Sequence, residues 1–211
     1  LSAKRTEPKC QHFGTCGGCK WQSMDYKYQL EYKQNEVENN LKRIGHLELP
    51  EVSPIKGSEK TYFYRNKMEF SFSDSRWLTT EEIASDQNLG DRNALGFHIP
   101  GMWDKILDVK KCWLQEDPSN AIRNAVKAYA IKNKLTFFNT RKQEGLLRTL
   151  MIRISSTGDV MVLIQFYQDL KNERDGLLEF LKDEFPQITS LLYVINQKGN
   201  DTIYDQEVVC Y

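Results

Sequence analysis

The sequence predicts an α+β fold, with a mainly antiparallel sheet, flanking helices and an irregular N-terminal Cys-rich loop. Three observations lead to this class. Segments that alternate apolar and polar residues come in pairs joined by short turns, as antiparallel strands do. Single helical segments follow these pairs instead of alternating with every strand. With 211 residues, 40% of them hydrophobic, the chain is also long and apolar enough to bury a core without disulfide bonds.

The first predicted elements are a loop and a helix. Glycines stand among the first three cysteines, which favours irregular backbone over residues 1–22. A helix is predicted over residues 23–43, because Ser23 suits an N-cap and Gly45 is a typical stop. Its apolar residues recur on one stripe, which comprises Leu30, Val37, Leu41 and Ile44. A connector with two prolines follows over residues 49–57.

The first strand is predicted over residues 61–73, where one face is apolar and the other is largely charged. The apolar positions are Tyr62, Tyr64, Met68, Phe70 and Phe72. Residues 74–92 are polar and are predicted to form a long loop. Two short strands follow at 94–99 and 106–110, joined through a Pro-Gly pair.

The second half of the chain is predicted to hold two helices and two hairpins. Asp117 and Pro118 suit the start of the first helix, and a Thr-Gly-Asp turn suits the first hairpin. In chain order, the predicted elements are a helix at 118–133, strands at 147–155 and 160–167, a helix at 172–185, and strands at 190–196 and 202–209. Because most connections are short, the sheet is expected to be antiparallel.

The charges cancel over the whole chain but are unevenly distributed. The 29 basic and 29 acidic side chains exclude nucleic-acid binding through bulk positive charge, but they leave room for a local patch. Residues 121–153 hold eight basic groups and one acid, whereas residues from 159 onward hold ten acids and four bases. This segregation permits a basic face toward phosphates. Charge alone nevertheless favours the ordinary alternative of solvated surface residues.

The composition also indicates where the protein works. No apolar run approaches the roughly 20 residues that span a bilayer, and the mean hydropathy is −0.60. No secretory signal precedes the cysteines, and the first residue is Leu1. We therefore expect a cytoplasmic, monomeric protein that does not bind membranes. The chain is expected to be a fragment or a processed form of a longer protein.

The cysteines predict a metal site in a reducing compartment. Cys10, Cys16 and Cys19 lie within ten residues, separated by five and by two residues. Thiolates at this spacing suit either tetrahedral zinc or an iron–sulfur cluster, and the spacing does not decide between them. Cys112 is the best candidate for a fourth ligand, since two neighbouring lysines would offset the negative charge of four thiolates.

Alternatives to this ligand set remain. The cysteines are also compatible with buried free thiols, although three in ten glycine-rich residues make that an unusual arrangement. His12 is an alternative ligand in place of Cys112, but it lies so near Cys10 that we interpret it as a non-ligand. Cys210, near the last residue, is interpreted as a core or terminal thiol.

Several motifs in fixed order resemble one known family. They are CQHFGTCGGCKWQ at 10–22, YRNKMEFSFS at 64–73, LGFHIPGMWDKILDVKKCWLQ at 95–115, LLRTLMIRIS at 146–155 and SLLYVINQKGNDT at 190–202. Together they cover nearly the whole chain and resemble the RNA (uracil-5-)-methyltransferases. The most similar branch comprises the enzymes that make 5-methyluridine in large-subunit ribosomal RNA.

The resemblance implies a 4Fe-4S cluster held by Cys10, Cys16, Cys19 and Cys112. It also implies transfer of a methyl group from S-adenosylmethionine to uracil C5. In this family a cysteine thiolate first adds to uracil C6, because C5 is too weakly nucleophilic until that addition activates it. Large-subunit ribosomal RNA is the partner that the resemblance implies.

The chain also departs from the family pattern. The family has an N-terminal barrel and a C-terminal domain for S-adenosylmethionine, and neither has room in 211 residues that begin with the cysteine loop. No strand is followed by a glycine-rich turn and an acidic residue, so no cofactor site is assigned. We therefore predict a cluster-binding loop at 1–22, an RNA-positioning domain at 23–211, no catalytic residue in this chain, and no activity for the chain alone.

Seven residues are candidates for RNA contact. Arg65, Asn66 and Lys67 place two cations and an amide on one short stretch, although a solvated strand face is an equally good interpretation. His12 and Phe13 are suited to stack on an unpaired base, although Phe13 is as well suited to pack over the cluster. The last two candidates, Arg148 and Arg153, have opposite parity in their strand and face the same RNA only if that strand bulges.

A second function of a different class is a stand-alone zinc or iron–sulfur module that binds RNA or protein without catalytic activity. The metal content and the presence of a cofactor domain distinguish the two hypotheses.

Overall fold

The computed structural model describes residues 2–85 and 90–211. Within it the chain forms two compact units, Leu1–Tyr62 and Phe63–Tyr211. The predicted boundary after residue 22 lies inside the first unit. One reason is that the Thr6 amide donates to the Ser23 carbonyl at 3.0 Å, which joins the cysteine loop to the segment that follows it.

The first unit contains one long helix, α1 (Tyr26–Asn39), which continues into a π-helical turn at Asn40–Ile44. The N-cap is Asp25 and not Ser23, since the Asp25 carboxylate accepts from the amide of Lys27 at 3.0 Å. The helix ends at the predicted place. A Cβ atom at Gly45 would stand 2.7 Å from the Leu41 carbonyl oxygen, so a larger residue would not fit there.

The second unit is a seven-stranded sheet with helices, which confirms the α+β class. The strands are β1 (Lys67–Ser73), β2 (Ala94–Ile99), β3 (Met102–Asp108), β4 (Leu147–Ile154), β5 (Val160–Phe166), β6 (Ile188–Ile195) and β7 (Val209–Cys210). Their order across the sheet is β3-β2-β1-β4-β5-β6-β7. Every neighbouring pair is antiparallel except β5 and β6.

The helices of the second unit are α2 (Thr80–Ala84), α3 (Ser119–Lys132) and α4 (Lys171–Glu184). The helix α4 connects the parallel pair β5 and β6, as a crossover requires. The predicted long loop at 74–92 contains α2, whose start is fixed by a capping box between Thr79 and Glu82. Among the described residues, no helix is long and apolar enough to cross a membrane.

The core of the second unit lies between the sheet and the two longer helices. Register partners Phe70, Leu150, Ile164 and Tyr193 form one cross-strand row on a single face of the sheet. Arg123 of α3 lies over Phe70, and Arg174 of α4 lies over Tyr193. Both helices therefore cover the same face.

Three predicted strands differ from the structure. The strand predicted at 106–110 is β3, which spans Met102–Asp108. β1 begins at Lys67 and not at residue 61, because Phe63 has a φ of 55° and its amide donates to the Trp113 carbonyl at 2.8 Å. Tyr64 is consequently exposed and is not part of the core. The last predicted strand is reduced to the two residues of β7, where Cys210 is exposed.

Candidate metal and RNA site

The cysteine loop is folded by its own backbone and by one glutamine. The Cys10 carbonyl accepts from the amide of Phe13 at 3.0 Å, and the His12 carbonyl accepts from the amide of Cys16 at 3.0 Å. Gly14 has a φ of 88°, a left-handed conformation that side chains rarely adopt. The Gln22 side chain accepts from the Cys10 amide at 3.1 Å and so fastens the start of the loop to its end.

The loop holds three of the four candidate ligands. Each of Cys10, Cys16 and Cys19 is partly exposed, and none forms a disulfide. Burial raises the pKa of the Cys16 thiol, and the charges of Cys19 and Cys10 raise it further. Burial in the loop therefore disfavours the thiolate form of Cys16.

Cys112 belongs to the second unit, in the segment between β3 and α3. It is buried. The side chain of one residue forms hydrogen bonds with both its amide and its carbonyl. The Cys112 amide donates to Asn120 Oδ1 at 2.7 Å, and Asn120 Nδ2 donates to the Cys112 carbonyl at 3.1 Å. This pair of bonds fixes the backbone from which the sulfur projects.

The described residues, 2–85 and 90–211, contain no group of three or more His, Cys, Asp or Glu side chains arranged to hold a metal ion. The ligand set of Cys10, Cys16, Cys19 and Cys112 therefore stays a prediction. His12 and Phe13 are both partly buried in the cysteine loop, and a His12 ring nitrogen lies 3.1 Å from Gln11 Nε2.

Four of the RNA candidates meet at one corner of the second unit. Arg65, Asn66 and Lys67 are exposed at the start of β1. Lys67 is the register partner of Arg153, which is also exposed. The amide of Ile154 donates to the Asn66 carbonyl at 2.9 Å. We call these four residues, Arg65, Asn66, Lys67 and Arg153, the basic corner.

The basic corner is bonded to the segment that follows Cys112. The amide of Arg65 donates to the Leu114 carbonyl at 2.8 Å. Gln115 is buried and donates to the Ile152 carbonyl of β4 at 3.0 Å. Exposed Lys111 lies 4.2 Å from the Trp113 ring centroid and adds a further cation. The Cys112 segment and the basic corner thus form one structural piece.

Arg148 does not belong to this surface, which corrects its assignment as an RNA contact. The strand β4 has an irregular register between Leu147 and Thr149, next to Arg148. Arg148 is only 5% exposed, and its Nη1 donates to the carbonyls of Asn196 at 2.9 Å and Lys198 at 2.7 Å. Burial lowers the pKa of this guanidinium.

Other basic side chains of residues 121–153 are also buried or paired with carboxylates. Lys127 contacts Asp108 at 2.6 Å, and Lys142 contacts Glu144 at 3.4 Å. Arg123 is buried beneath the sheet. The clustering of basic residues in this part of the sequence therefore does not produce a continuous basic face.

Sequence reasoning missed an exposed aromatic residue and a buried polar group. Trp103 is 58% exposed on β3, and the guanidinium of Arg141 lies 5.3 Å from its ring centroid. A tryptophan two residues after a Pro-Gly pair and directly before two charged residues was the available signal. The buried group is Arg123 with Asn120, one turn apart on α3, and no pattern in the sequence distinguishes them from surface residues.

Similar proteins are known, although no protein-family model matches the chain. A Bacteroides thetaiotaomicron protein named an uncharacterized RNA methyltransferase is 56% identical over 99% of this chain and 46% of its own length. A Porphyromonas gingivalis protein of the same description is 50% identical over 98% of this chain and 46% of its own. The chain thus spans less than half of these relatives.

A solved structure is similar as well. It is the crystal structure of Pyrococcus abyssi tRNA (uracil-54, C5)-methyltransferase in complex with S-adenosyl-L-homocysteine. The TM-score is 0.61 at 26% identity, and the match covers 98% of this chain and 41% of that one. Over nearly its whole length, the chain is therefore similar to one part of proteins that are named RNA methyltransferases.

Proposed function

We propose that this chain is the RNA-positioning, cluster-bearing part of an S-adenosylmethionine-dependent RNA (uracil-5-)-methyltransferase. The observation that carries the proposal is the basic corner, which is bonded directly to the Cys112 segment in a chain related to RNA methyltransferases. The solved neighbour acts on uracil C5 of a tRNA and binds S-adenosyl-L-homocysteine, which supports both the reaction and the cofactor.

The cluster in this proposal is a 4Fe-4S cluster held by Cys10, Cys16, Cys19 and Cys112. The donor type fits such a cluster, since all four candidate ligands are cysteines and none forms a disulfide. When bound, the cluster would take the four thiolates as its ligands. Zinc is the alternative occupant.

The basic corner would hold the RNA backbone. Arg65, Lys67 and Arg153 carry exposed charges suited to phosphates, and Asn66 offers an amide for a base edge. His12 and Phe13 would stack on an unpaired base. The proposed substrate is large-subunit ribosomal RNA, in which C5 of one uridine receives the methyl group.

The chain itself would not carry out the transfer. The nucleophile that adds to uracil C6 must approach the bound base, and Cys210 is an exposed thiol at the end of a two-residue strand. We assign the nucleophile and the cofactor site to the rest of the protein. This chain would bind and orient the RNA.

The test is a methylation assay with the full-length protein, radiolabelled S-adenosylmethionine, and unmodified large-subunit ribosomal RNA or tRNA. We expect 5-methyluridine in the ribosomal RNA, and we expect the chain of 211 residues alone to transfer no methyl group. A triple variant, Arg65→Ala, Lys67→Ala and Arg153→Ala, should raise KM for RNA and leave the affinity for S-adenosylmethionine unchanged.

A matched control replaces three exposed lysines away from the corner, Lys132, Lys134 and Lys171, with alanine. Equal losses in the two variants would contradict the assignment of the basic corner. Methylation of tRNA in preference to ribosomal RNA would contradict the proposed substrate, and a product other than 5-methyluridine would contradict the proposed reaction.

A further inference from the structure

We propose that Trp103 and Arg141 form a stacking site for one unpaired base of the RNA, in addition to the basic corner. In this site the base stacks on the indole ring of Trp103, and the phosphate of the same nucleotide accepts hydrogen bonds from the guanidinium of Arg141. The inference rests on the proposed function, since it adds a second RNA contact to the same protein.

Trp103 is an exposed aromatic side chain near the start of β3. It is 58% exposed, and its neighbour Met102 is 42% exposed. Tryptophan is highly buried on average in folded proteins, so an exposed ring calls for a role. Such a ring can stack on any nucleotide, because every base has a π-face. Trp103 therefore offers a surface that suits a base of single-stranded RNA.

The guanidinium of Arg141 lies over this ring, 5.3 Å from its centroid. Its Nε donates to the carboxylate of Asp104 at 2.5 Å, and Asp104 is 8% exposed. That bond orients the guanidinium, while the Arg141 side chain stays 67% exposed. Within residues 2–85 and 90–211, its Nη1 and Nη2 atoms form no hydrogen bond, so both are available to a phosphate.

The loop that carries Arg141 is held in place by Asn139. The Oδ1 atom of Asn139 accepts from the amides of Arg141 at 3.1 Å and Lys142 at 2.9 Å. Its Nδ2 donates to both carboxylate oxygens of Asp74, at 3.1 and 2.8 Å. Because the loop and the guanidinium are both held before RNA binds, binding at this site loses little conformational entropy.

The charges around the indole ring favour RNA over a protein partner. Three cations lie in the two segments that form the site: Lys105, Arg141 and Lys142. Of the two acids there, Asp104 is nearly buried and bonded to Arg141, and Glu144 is exposed. The charge that reaches solvent is therefore mainly positive, as phosphates require. A protein-binding hot spot would instead lie within a larger apolar patch, which these charged neighbours do not provide.

The experiment uses the full-length protein and measures its affinity for a short oligo(A) and for an RNA duplex, by filter binding over a range of salt. Trp103→Ala should bind oligo(A) about 5- to 150-fold more weakly, the effect of removing one stack of a base on an aromatic ring. Its affinity for the duplex should stay unchanged, because paired bases cannot reach the ring. The slope of log Kd against log salt should also stay the same, since no charge is removed.

Two further variants separate the ring from the charge. Trp103→Phe keeps an aromatic ring, so it should bind oligo(A) nearly as well as the parent but lose most of the RNA-induced quenching of tryptophan fluorescence. Arg141→Gln should reduce the salt slope by about 0.7, the value for one phosphate contact in a single strand. The matched control is Tyr204→Ala, which removes a ring that is 99% exposed and should leave both affinities unchanged.

The outcomes distinguish the stacking site from the function on which it rests. A parent protein that binds no RNA, or methylates none, would overturn the proposed function. A parent that methylates RNA, with a Trp103→Ala variant that binds oligo(A) equally well, would overturn only the stacking site. Weaker methylation at unchanged RNA affinity would overturn it too, and would assign the ring to a protein contact.

The fluorescence measurement keeps the inference testable if Trp103→Ala does not fold, judged by circular dichroism. In that case the parent and Trp103→Phe are compared with the same oligo(A). Equal quenching in the two proteins would overturn the stacking site, because the signal would then come from other tryptophans.

Discussion

The two units of the chain are held together in different ways. None of residues 2–62 is buried, whereas the apolar core of the second unit extends from Met68 to Val194. The stripe on α1 that the sequence predicts as an apolar face is largely exposed, with Val37 at 56% and Ile44 at 76%. The first unit therefore has no core of its own in the described residues.

Polar and cation–π contacts take the place of a core in the first unit. Lys4 pairs with Glu31 at 2.9 Å and lies 4.8 and 4.7 Å from the Tyr28 and Tyr32 ring centroids. Such exposed contacts add little stability, because solvent and salt screen them. The second unit therefore depends on packing, and the first unit lacks that support among the described residues.

The largest expected effect concerns packing in the second unit. Phe70→Ala should lower the free energy of unfolding by about 3 to 5 kcal/mol, because it leaves a cavity beneath α3. Val37→Ala, in the first unit, should change it by less than about 0.5 kcal/mol. Urea denaturation followed by circular dichroism measures both values. Similar losses for the two variants would mean that the first unit has a core after all.

The next effect concerns the proposed cluster and its ligand Cys16. Cys16→Ser in the full-length protein should increase amide hydrogen exchange in residues 2–62 and leave exchange in β4 and β5 unchanged, since ligation and folding are coupled. The expected increase is largest in the cysteine loop, whose backbone lies closest to the missing ligand. Cys210→Ser is the matched control, and the same protection in both variants would contradict the cluster's structural role.

A smaller effect distinguishes the two arginines of β4. Arg148→Met should cost about 1 to 3 kcal/mol of stability, because the carbonyls of Asn196 and Lys198 lose their donor. Arg153→Met should leave stability unchanged, and the slope of log Kd for RNA against log salt should fall by about one. Thermal melts and filter binding measure these quantities. Loss of RNA binding without loss of stability in Arg148→Met would restore Arg148 as an RNA contact.

The smallest effect is a dependence of thermal stability on pH. A hydrogen bond from Arg141 at 2.5 Å lowers the pKa of the Asp104 carboxyl. A carboxyl with a lowered folded-state pKa adds stability above its unfolded value, about 3.9, and loses it as the pH falls through the folded value. Asp104→Asn should therefore flatten the fall in Tm below about pH 4. Glu207→Gln, which removes an exposed carboxylate, is the control, and identical profiles for both variants would mean that Asp104 adds no such stability.

The sequence predicted most elements because alternation and turn residues act locally. β2 starts and ends as predicted, α3 and α4 lie within one residue of their predicted bounds, and the hairpin of β4 and β5 forms around the predicted turn. The parallel pairing of β5 and β6 was not predictable in this way, since it depends on a crossover and on packing against the sheet.

The residues of the candidate site could likewise be predicted only where the signal is local in the sequence. The basic corner was predictable as a short run of polar residues in the sequence. The burial of Arg148 was not, because it depends on the carbonyls of Asn196 and Lys198, which lie about 50 positions further along the chain. Arg123 was not predictable either, since a charged side chain in a helix is ordinarily solvated. Only its surroundings in three dimensions make it exceptional.

The position of β1 also determines how the second unit folds. β1 pairs with β4, and Phe70 meets Leu150, which lies 80 positions further along the chain. The neighbouring hairpins, β2 with β3 and β4 with β5, close much shorter loops. Hairpins of this kind form within about 1 to 10 μs, whereas distant pairings wait for the closure of long loops. We therefore expect the insertion of β1 between the two hairpins to be slower than the closure of either hairpin, so that the basic corner, which includes the start of β1, forms after them.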